Sequence, residues 1–315
     1  MTTADRLPDA ALAEALAHKA TGARPLAIRR FPTGSQHYVF EATFADRDAV
    51  VVRISQDIAR PLVRGALRQS ALLRPLGVPL PEIIASDVEA PLPYMILQRL
   101  PGTDLAHVIS RLPEDRLAPI AARIVEAQRI VAATASSGRY GYAADPSSAP
   151  YAHWSENLQQ GLTRSRTRIA SAGLFDLSLV VALESVFFQL RAEANAQPAM
   201  PFLHDTTTKN VIVTEQGDFS GIVDVDDLCF GDPRFVVALT LAALTAFGGP
   251  VTYAHTWMRL AGFRDDRLFR FYVAACLLDF LSEEGQVFNG NQRPTSPEQR
   301  QRLLGLYTTA LRDVT

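Results

Sequence analysis

FLHDTTTKNVIVTEQGDFSGIVDVDDLCFGDP, residues 202–233, is the stretch on which the reading of this 315-residue chain turns. Two short apolar runs, Val211–Val213 and Gly221–Val223, flank a polar turn near Gly217 and predict an antiparallel hairpin. Residues whose numbers sum to about 434 then face each other, which sets Asn210 opposite Asp224 at the open end. An amide oxygen and a carboxylate brought together make a hard oxygen site of the kind Mg2+ takes. Asp205, five residues before Asn210, enters the same space from the preceding loop. One carboxylate to orient a hydroxyl and two ligands to hold a metal on phosphates are what phosphoryl transfer asks for. Taken singly, Asp205 and Asp224 are ordinary turn aspartates; the set at this spacing points to chemistry. Asp226 and Asp227 add charge nearby; one of them reads as a group supporting the metal ligands or holding a second metal, and the two read equally as an exposed solvated pair.

Around this hairpin the chain is helical. Helical composition runs over 104–133, 153–172, 177–196, 234–247, 266–283 and 297–312, with the hairpin as the one strand-like island. Upstream of Gly102 the pattern differs. A short helix over 9–20, capped by Asp9 with Leu12 and Leu16 on one face, precedes a β-rich hairpin between Phe31 and Ile54. A helix over 61–76 and strands at Glu82–Ala85 and Tyr94–Leu97 complete a small strand-rich unit. There is no internal repeat and no low-complexity tract.

Composition excludes several functions. The net charge of -2 supplies no global field for nucleic acid or an anionic membrane. Cys229 and Cys276 stand far apart among apolar neighbours, which argues against a disulfide scaffold or zinc site and fits a reducing compartment. The longest nearly apolar run, Phe235–Phe247, is too short to span a bilayer, and the charged N-terminus does not read as a signal peptide. A cytoplasmic, soluble protein is expected.

The pattern D-x-x-x-x-N, strand, turn, strand, D, followed by Gly231-Asp232-Pro233, resembles the kinase-like small-molecule phosphotransferases, the aminoglycoside phosphotransferase and choline kinase group. The likeness is strong over 203–238 and weak in the first hundred residues. It implies an α+β, bilobal protein-kinase-like fold, with a small antiparallel-sheet nucleotide-binding lobe at 1–98 and a larger, mainly helical catalytic lobe at 99–315. It also implies that Asp205 is the catalytic carboxylate, Asn210 and Asp224 the metal ligands, and Asp232 a structural residue behind the metal site. Two departures stand out: Leu203-His204 precede Asp205 where the family has His-Gly, and Val236 replaces an aspartate that holds the catalytic loop through its backbone. Together they predict a loop held differently, with His204 in the core.

A kinase-like enzyme needs a cation on its third strand to hold phosphates. With only Lys19 and Lys209 as lysines, Arg53 in VVVRIS is the candidate, set against the plainer reading of an edge-strand arginine reaching solvent. Gln69 stands where the family's helix glutamate would be. Gly34 and Ser35, within a loop running to His37, would cover the phosphates, and the segment ending in Gln98 and Leu100 resembles the hinge that holds adenine. The expected cofactors are ATP and Mg2+. The expected partner is a small-molecule hydroxyl acceptor, an aminoglycoside-like amino sugar or amino alcohol first, with Asp279 and Glu283 on one helix face as its binding carboxylates. The alternative is a kinase-like binding protein without transferase activity.

Overall fold

The computed structural model describes residues 7–31, 37–286 and 296–315, and these divide into two compact units. The smaller comprises the chain through Pro101 together with Ser220–Asp227. The larger comprises Gly102–Phe219, Leu228–Gln286 and the C-terminal stretch through Thr315.

In the smaller unit, α1 (Ala10–Thr21) is followed by β1 (Ala27–Arg30), β2 (His37–Thr43), β3 (Val50–Ser55), α2 (Arg60–Leu73), β4 (Ile83–Asp87) and β5 (Tyr94–Gln98). The strands form one antiparallel sheet in the order β1-β2-β3-β5-β4. Asp9 caps α1 by accepting the Leu12 N–H at 2.8 Å. The helix face that meets the sheet is carried by Ala13 and Ala17, fully buried against Tyr38, Phe40, Val52, Ile54 and Ile96, with Leu12 and Leu16 flanking it half-buried. Two alanines one turn apart leave room for the aromatic side chains of the sheet. On the opposite face, Val63 and Ala66 of α2 pack on Met95. Met95 is the register partner of Arg53, so the arginine lies on this second face of a central strand. It is not at an edge, and it is 5 % exposed.

The larger unit holds β6 (Thr103–Asp104), α3 (Leu105–Val108), α4 (Glu114–Ala132), β7 (Gly141–Ala143), α5 (Trp154–Ala172), α6 (Ser178–Asn195), β8 (Met200–Phe202), β9 (Val211–Val213), the start of β10 (Phe219–Ile222), β11 (Leu228–Gly231), α7 (Arg234–Phe247), α8 (Thr252–Ala261), α9 (Arg267–Glu283) and α10 (Pro297–Arg312). The helix expected over 104–133 is broken in two, because Pro113 cannot continue α3 and instead stands before α4. α9 is central, packing on α5, α6, α7 and α10. The hairpin is not the only strand structure here. β7 and β8 flank the buried β11, with Cys229 opposite both Tyr142 and Phe202, and β6 pairs with β9. At the turn, Thr214 donates to the Asp218 carbonyl at 2.9 Å, and Gly217 has a φ of 81° that favours glycine. That turn bond joins numbers two lower in sum than the expected register. Two other glycines are set by close approach: a Cβ on Gly102 would lie 1.9 Å from the Val213 carbonyl oxygen, and one on Gly231 would lie 2.3 Å from the Trp154 ring. Among the described residues no helix is long and apolar enough to cross a membrane.

Candidate functional site

In the smaller unit Arg53 is held by acids rather than open to solvent. Its guanidinium donates to Asp226 and lies 3.2 Å from Asp224. Asp226 also accepts from His37 Nε2 at 3.0 Å, while His37 Nδ1 pairs with the Ser55 hydroxyl at 2.7 Å. Burial alone would push the Asp226 carboxyl up; Arg53 and His37 overcome it and hold it at about 2. The same carboxylates keep Arg53 charged despite its burial. Asp226 is therefore not a solvated bystander, and the solvated-pair reading fails for it. His37, Asp224 and Asp226 bring ligand atoms within 4.8 Å of one another, a group able to hold a metal ion, although Arg53 already contacts both carboxylates. Arg53 Nε and Asp226 Oδ1 are buried without a hydrogen-bond partner among the described residues. Asp224, two residues past the end of β10, has a φ of 64° and is the one non-glycine residue with a positive φ among those described. This strained backbone turns an exposed carboxylate out of a strand.

Gln69 is buried on α2. In the segment expected to hold adenine, the Gln98 N–H donates to the Glu82 carbonyl at 2.8 Å, and the Leu100 carbonyl accepts from the Arg99 guanidinium. Gly34 and Ser35 lie outside the described residues.

In the larger unit the loop between β8 and β9 carries Asp205 and Asn210. The Asn210 amide nitrogen donates both to the backbone carbonyl and to the Oδ2 of Asp205, each at 2.9 Å. Both acceptors are oxygens, so the amide must turn its nitrogen to them, and its Oδ1 is the atom left for a cation. Gln128 on α4 grips the other end of this loop. It donates to the Leu203 carbonyl and the Thr206 hydroxyl at 2.9 Å and accepts the Leu203 N–H at 3.0 Å. Thr206, Thr207 and Thr208 are buried. Val236, where the family's loop-holding aspartate is missing, is simply packed in the core. The loop is thus held by a neutral amide, which no motif in the sequence announces. His204, expected in the core, is instead partly exposed and meets the Tyr142 ring edge-on at 4.8 Å.

Behind the loop, Asp232 accepts the Arg234 backbone N–H at 3.0 Å, the Arg234 guanidinium at 2.7 Å and the Tyr272 hydroxyl at 3.0 Å. Trp154 donates to the same Tyr272 hydroxyl at 2.9 Å. The Gly-Asp-Pro turn is locked to α5 and α9 through these buried contacts.

Asp279 does not present an open carboxylate. Arg164 donates to it at 2.9 and 3.3 Å, Arg168 at 3.5 Å and the Ser165 hydroxyl at 3.2 Å. Glu283, one turn on, lies 3.9 Å from Arg168. Desolvation, reinforced by Asp279, pushes its carboxyl above the usual range. Sequence reading missed these arginines because α5 carries no motif and its partners lie on α9, more than a hundred residues away.

A model of the phosphotransferase enzyme family matches residues 27–272. No curated protein matches the chain in sequence. Solved structures do match in fold. Aminoglycoside phosphotransferase APH(4)-Ia is similar at 17 % identity and a TM-score of 0.70, over 98 % of this chain and 100 % of that one. The GDP complex of wild-type aminoglycoside 2'-phosphotransferase-IIIa aligns at 14 % identity and a TM-score of 0.68, over 98 % and 100 % of the two chains. A thermostable mutant of the first has been solved with ADP and hygromycin B, at 18 % identity and a TM-score of 0.67, over 95 % and 97 %. At such identity the likeness establishes the fold, the α+β protein-kinase-like fold of these phosphotransferases.

Proposed function

The chain belongs to the phosphotransferase enzyme family, and we propose that it is an ATP- and Mg2+-dependent kinase moving the γ-phosphoryl group to a hydroxyl of a small molecule. The observation that carries this reading is the coupling of Asp205 to Asn210 on one short, rigidly held loop. An amide donating to one oxygen of Asp205 fixes the orientation of the carboxylate toward a hydroxyl proton. In the reaction the acceptor oxygen forms the bond to the γ-phosphorus. The bond from that phosphorus to the β-phosphate oxygen breaks, ADP leaves with the electron pair, and Asp205 takes the proton.

The donors present fit Mg2+: Asp224 offers an exposed carboxylate and Asn210 its amide oxygen, both hard ligands. Bound Mg2+ would neutralise phosphate charge as it develops. Arg53, whose Nε has no hydrogen-bond partner among the described residues, is the cation suited to the nucleotide phosphates. Binding there would draw the arginine away from Asp224 and free that carboxylate for the metal. The segment around Gln98 and Leu100 would receive the base, with the Arg99 contact to the Leu100 carbonyl opening to do so. Nucleotides bound in the neighbouring structures, ADP among them, support a nucleotide as donor.

A thermal-shift titration with ATP, with and without Mg2+, on the wild type and on Asp224→Ala tests the reading. Ligand at about 100 times its Kd should add roughly 2.7 kcal/mol, or about 4 °C. A Mg2+-dependent shift removed by Asp224→Ala supports it, and no shift under any condition overturns it. A shift without phosphoryl transfer to any acceptor would indicate a binding protein.

A further inference from the structure

The ion pair between Arg53 and Asp226 is only half made. A guanidinium offers a carboxylate two parallel N–H donors along its Nε–Nη2 edge, and the carboxylate answers with both oxygens. Arg53 Nη2 donates to Asp226 Oδ2, yet the two atoms that would complete the fork, Arg53 Nε and Asp226 Oδ1, are buried with no hydrogen-bond partner among the described residues. Leaving a buried donor and a buried acceptor unpaired is unfavourable, so other contacts hold the pair open. Asp224 Oδ1, 3.2 Å from the same Nη2, draws on the arginine. His37 Nε2, 3.0 Å from the same Oδ2, draws on the carboxylate. A carboxylate oxygen only accepts, so Nε2 carries a hydrogen and donates. The ring is fixed from behind. Its Nδ1 meets the Ser55 hydroxyl at 2.7 Å, His37 and Ser55 are register partners across β2 and β3, and the Ser55 N–H donates to the Pro93 carbonyl at 2.8 Å. Both side chains are buried, so water does not compete for these bonds.

We propose that His37 is a positioning residue for the nucleotide: by holding Asp226 Oδ2 it keeps the Arg53–Asp226 pair at a single bond, and so reserves the Nε edge of Arg53 for phosphate oxygens. This role rests on the kinase reading above and adds a residue to it. A phosphate takes the same edge of a guanidinium that a fork pair would occupy. With the histidine in place, Arg53 leaves Asp224 for the phosphates while Asp226 stays where it is. Without it, Asp226 turns, its Oδ1 accepts from Nε, and the closed fork occupies the edge that a phosphate needs. His37 touches neither phosphate nor acceptor; it acts through Asp226.

Calorimetric titration of the full-length chain with ATP in the presence of Mg2+, and separately with adenosine, tests this role, because adenosine has no phosphate for Arg53 to hold. His37→Phe keeps a ring and removes both bonds; affinity for ATP should fall about tenfold or more while that for adenosine stays within about twofold. His37→Gln can still donate an amide N–H to Asp226 and should bring ATP affinity back to within about threefold of the wild type. Asp226→Asn has one acceptor oxygen and cannot close a fork, so adding it to His37→Phe should recover ATP affinity lost in the single variant. A His37→Phe chain with a lower Tm and unchanged ATP affinity overturns the proposal, since the histidine is then a structural hydrogen bond alone. Equal losses for ATP and adenosine overturn it too, as does a double variant that binds ATP no better than His37→Phe. If His37→Phe does not fold, Ser55→Ala carries the test by freeing the ring. ATP affinity should then fall about threefold with adenosine unaffected, and an unchanged ATP affinity overturns the proposal. Arg53→Gln separates this role from the reading beneath it. A wild type that does not bind ATP, or an Arg53→Gln chain that binds it as well as the wild type, fails the nucleotide reading itself.

Discussion

The two carboxylate sites of this protein are held in place by opposite means. In the smaller unit Asp226 is fixed by charge, with Arg53 and His37 closing on it in a buried, polar knot. In the larger unit the Asp205 loop is gripped by side-chain amides, Gln128 at one end and Asn210 at the other. The contrast fits the role proposed for each carboxylate. A group that stays ionised and holds a phosphate-binding arginine gains from a buried counter-charge. One that must take and release a proton cannot have its affinity for protons suppressed in that way.

Variants that cross the two designs should break the contrast, with the greatest effect at Asp205. Asp205→Asn keeps an oxygen for the Asn210 amide and removes the proton acceptor, so turnover should fall roughly a thousandfold. ATP-induced thermal shift in the same variant should match the wild type; a lost shift would mean that Asp205 supports folding instead. Next comes Asp226→Ala, which leaves Arg53 buried with one fewer partner. Chemical denaturation should show a loss of about 3–5 kcal/mol, and a loss below about 1 kcal/mol would refute the buried-charge account. Gln128→Leu removes the clamp without removing any charge. Steady-state kinetics should show kcat reduced roughly a hundredfold through misplacement of the loop, with KM for ATP little changed; a rise in KM alone would count against Gln128 as a positioning residue. The smallest effect is on pH. Because the Asp226 carboxyl titrates at about 2 when folded and near its ordinary value when unfolded, its contribution is present above the ordinary value. It drains away as pH falls toward about 2. Acid unfolding of Asp226→Asn should therefore lack that part of the slope, and an unchanged slope would assign acid lability elsewhere.

The fold was largely legible because helix boundaries are set locally. α7 and α10 end where their sequence signals place them, and Asp9 and Ser296 cap as their residue types suggest. The short strands of the larger unit were not legible. β7, β8 and β11 are three or four residues each and exist because they pair with one another, and nothing local marks them. The pairing of Asp205 with Asn210 could be anticipated because the two lie five residues apart on one loop. Gln128, Arg164 and Arg168 could not, since an interior helix glutamine and two helix arginines acquire meaning only from partners that folding brings near. His37 lay within a loop read as a phosphate cover, and its pairing with Asp226 spans 189 positions.

The placement of Trp154 and Trp257, both buried and both in the larger unit, makes the chain its own two-channel reporter. No tryptophan stands in the smaller unit's part of the sequence. Intrinsic indole emission therefore follows the melting of the catalytic-loop unit alone, while far-ultraviolet dichroism sums over both. The temperature gap between the two melting curves would measure, without any label, whether the sheet unit unfolds in step with its neighbour or ahead of it.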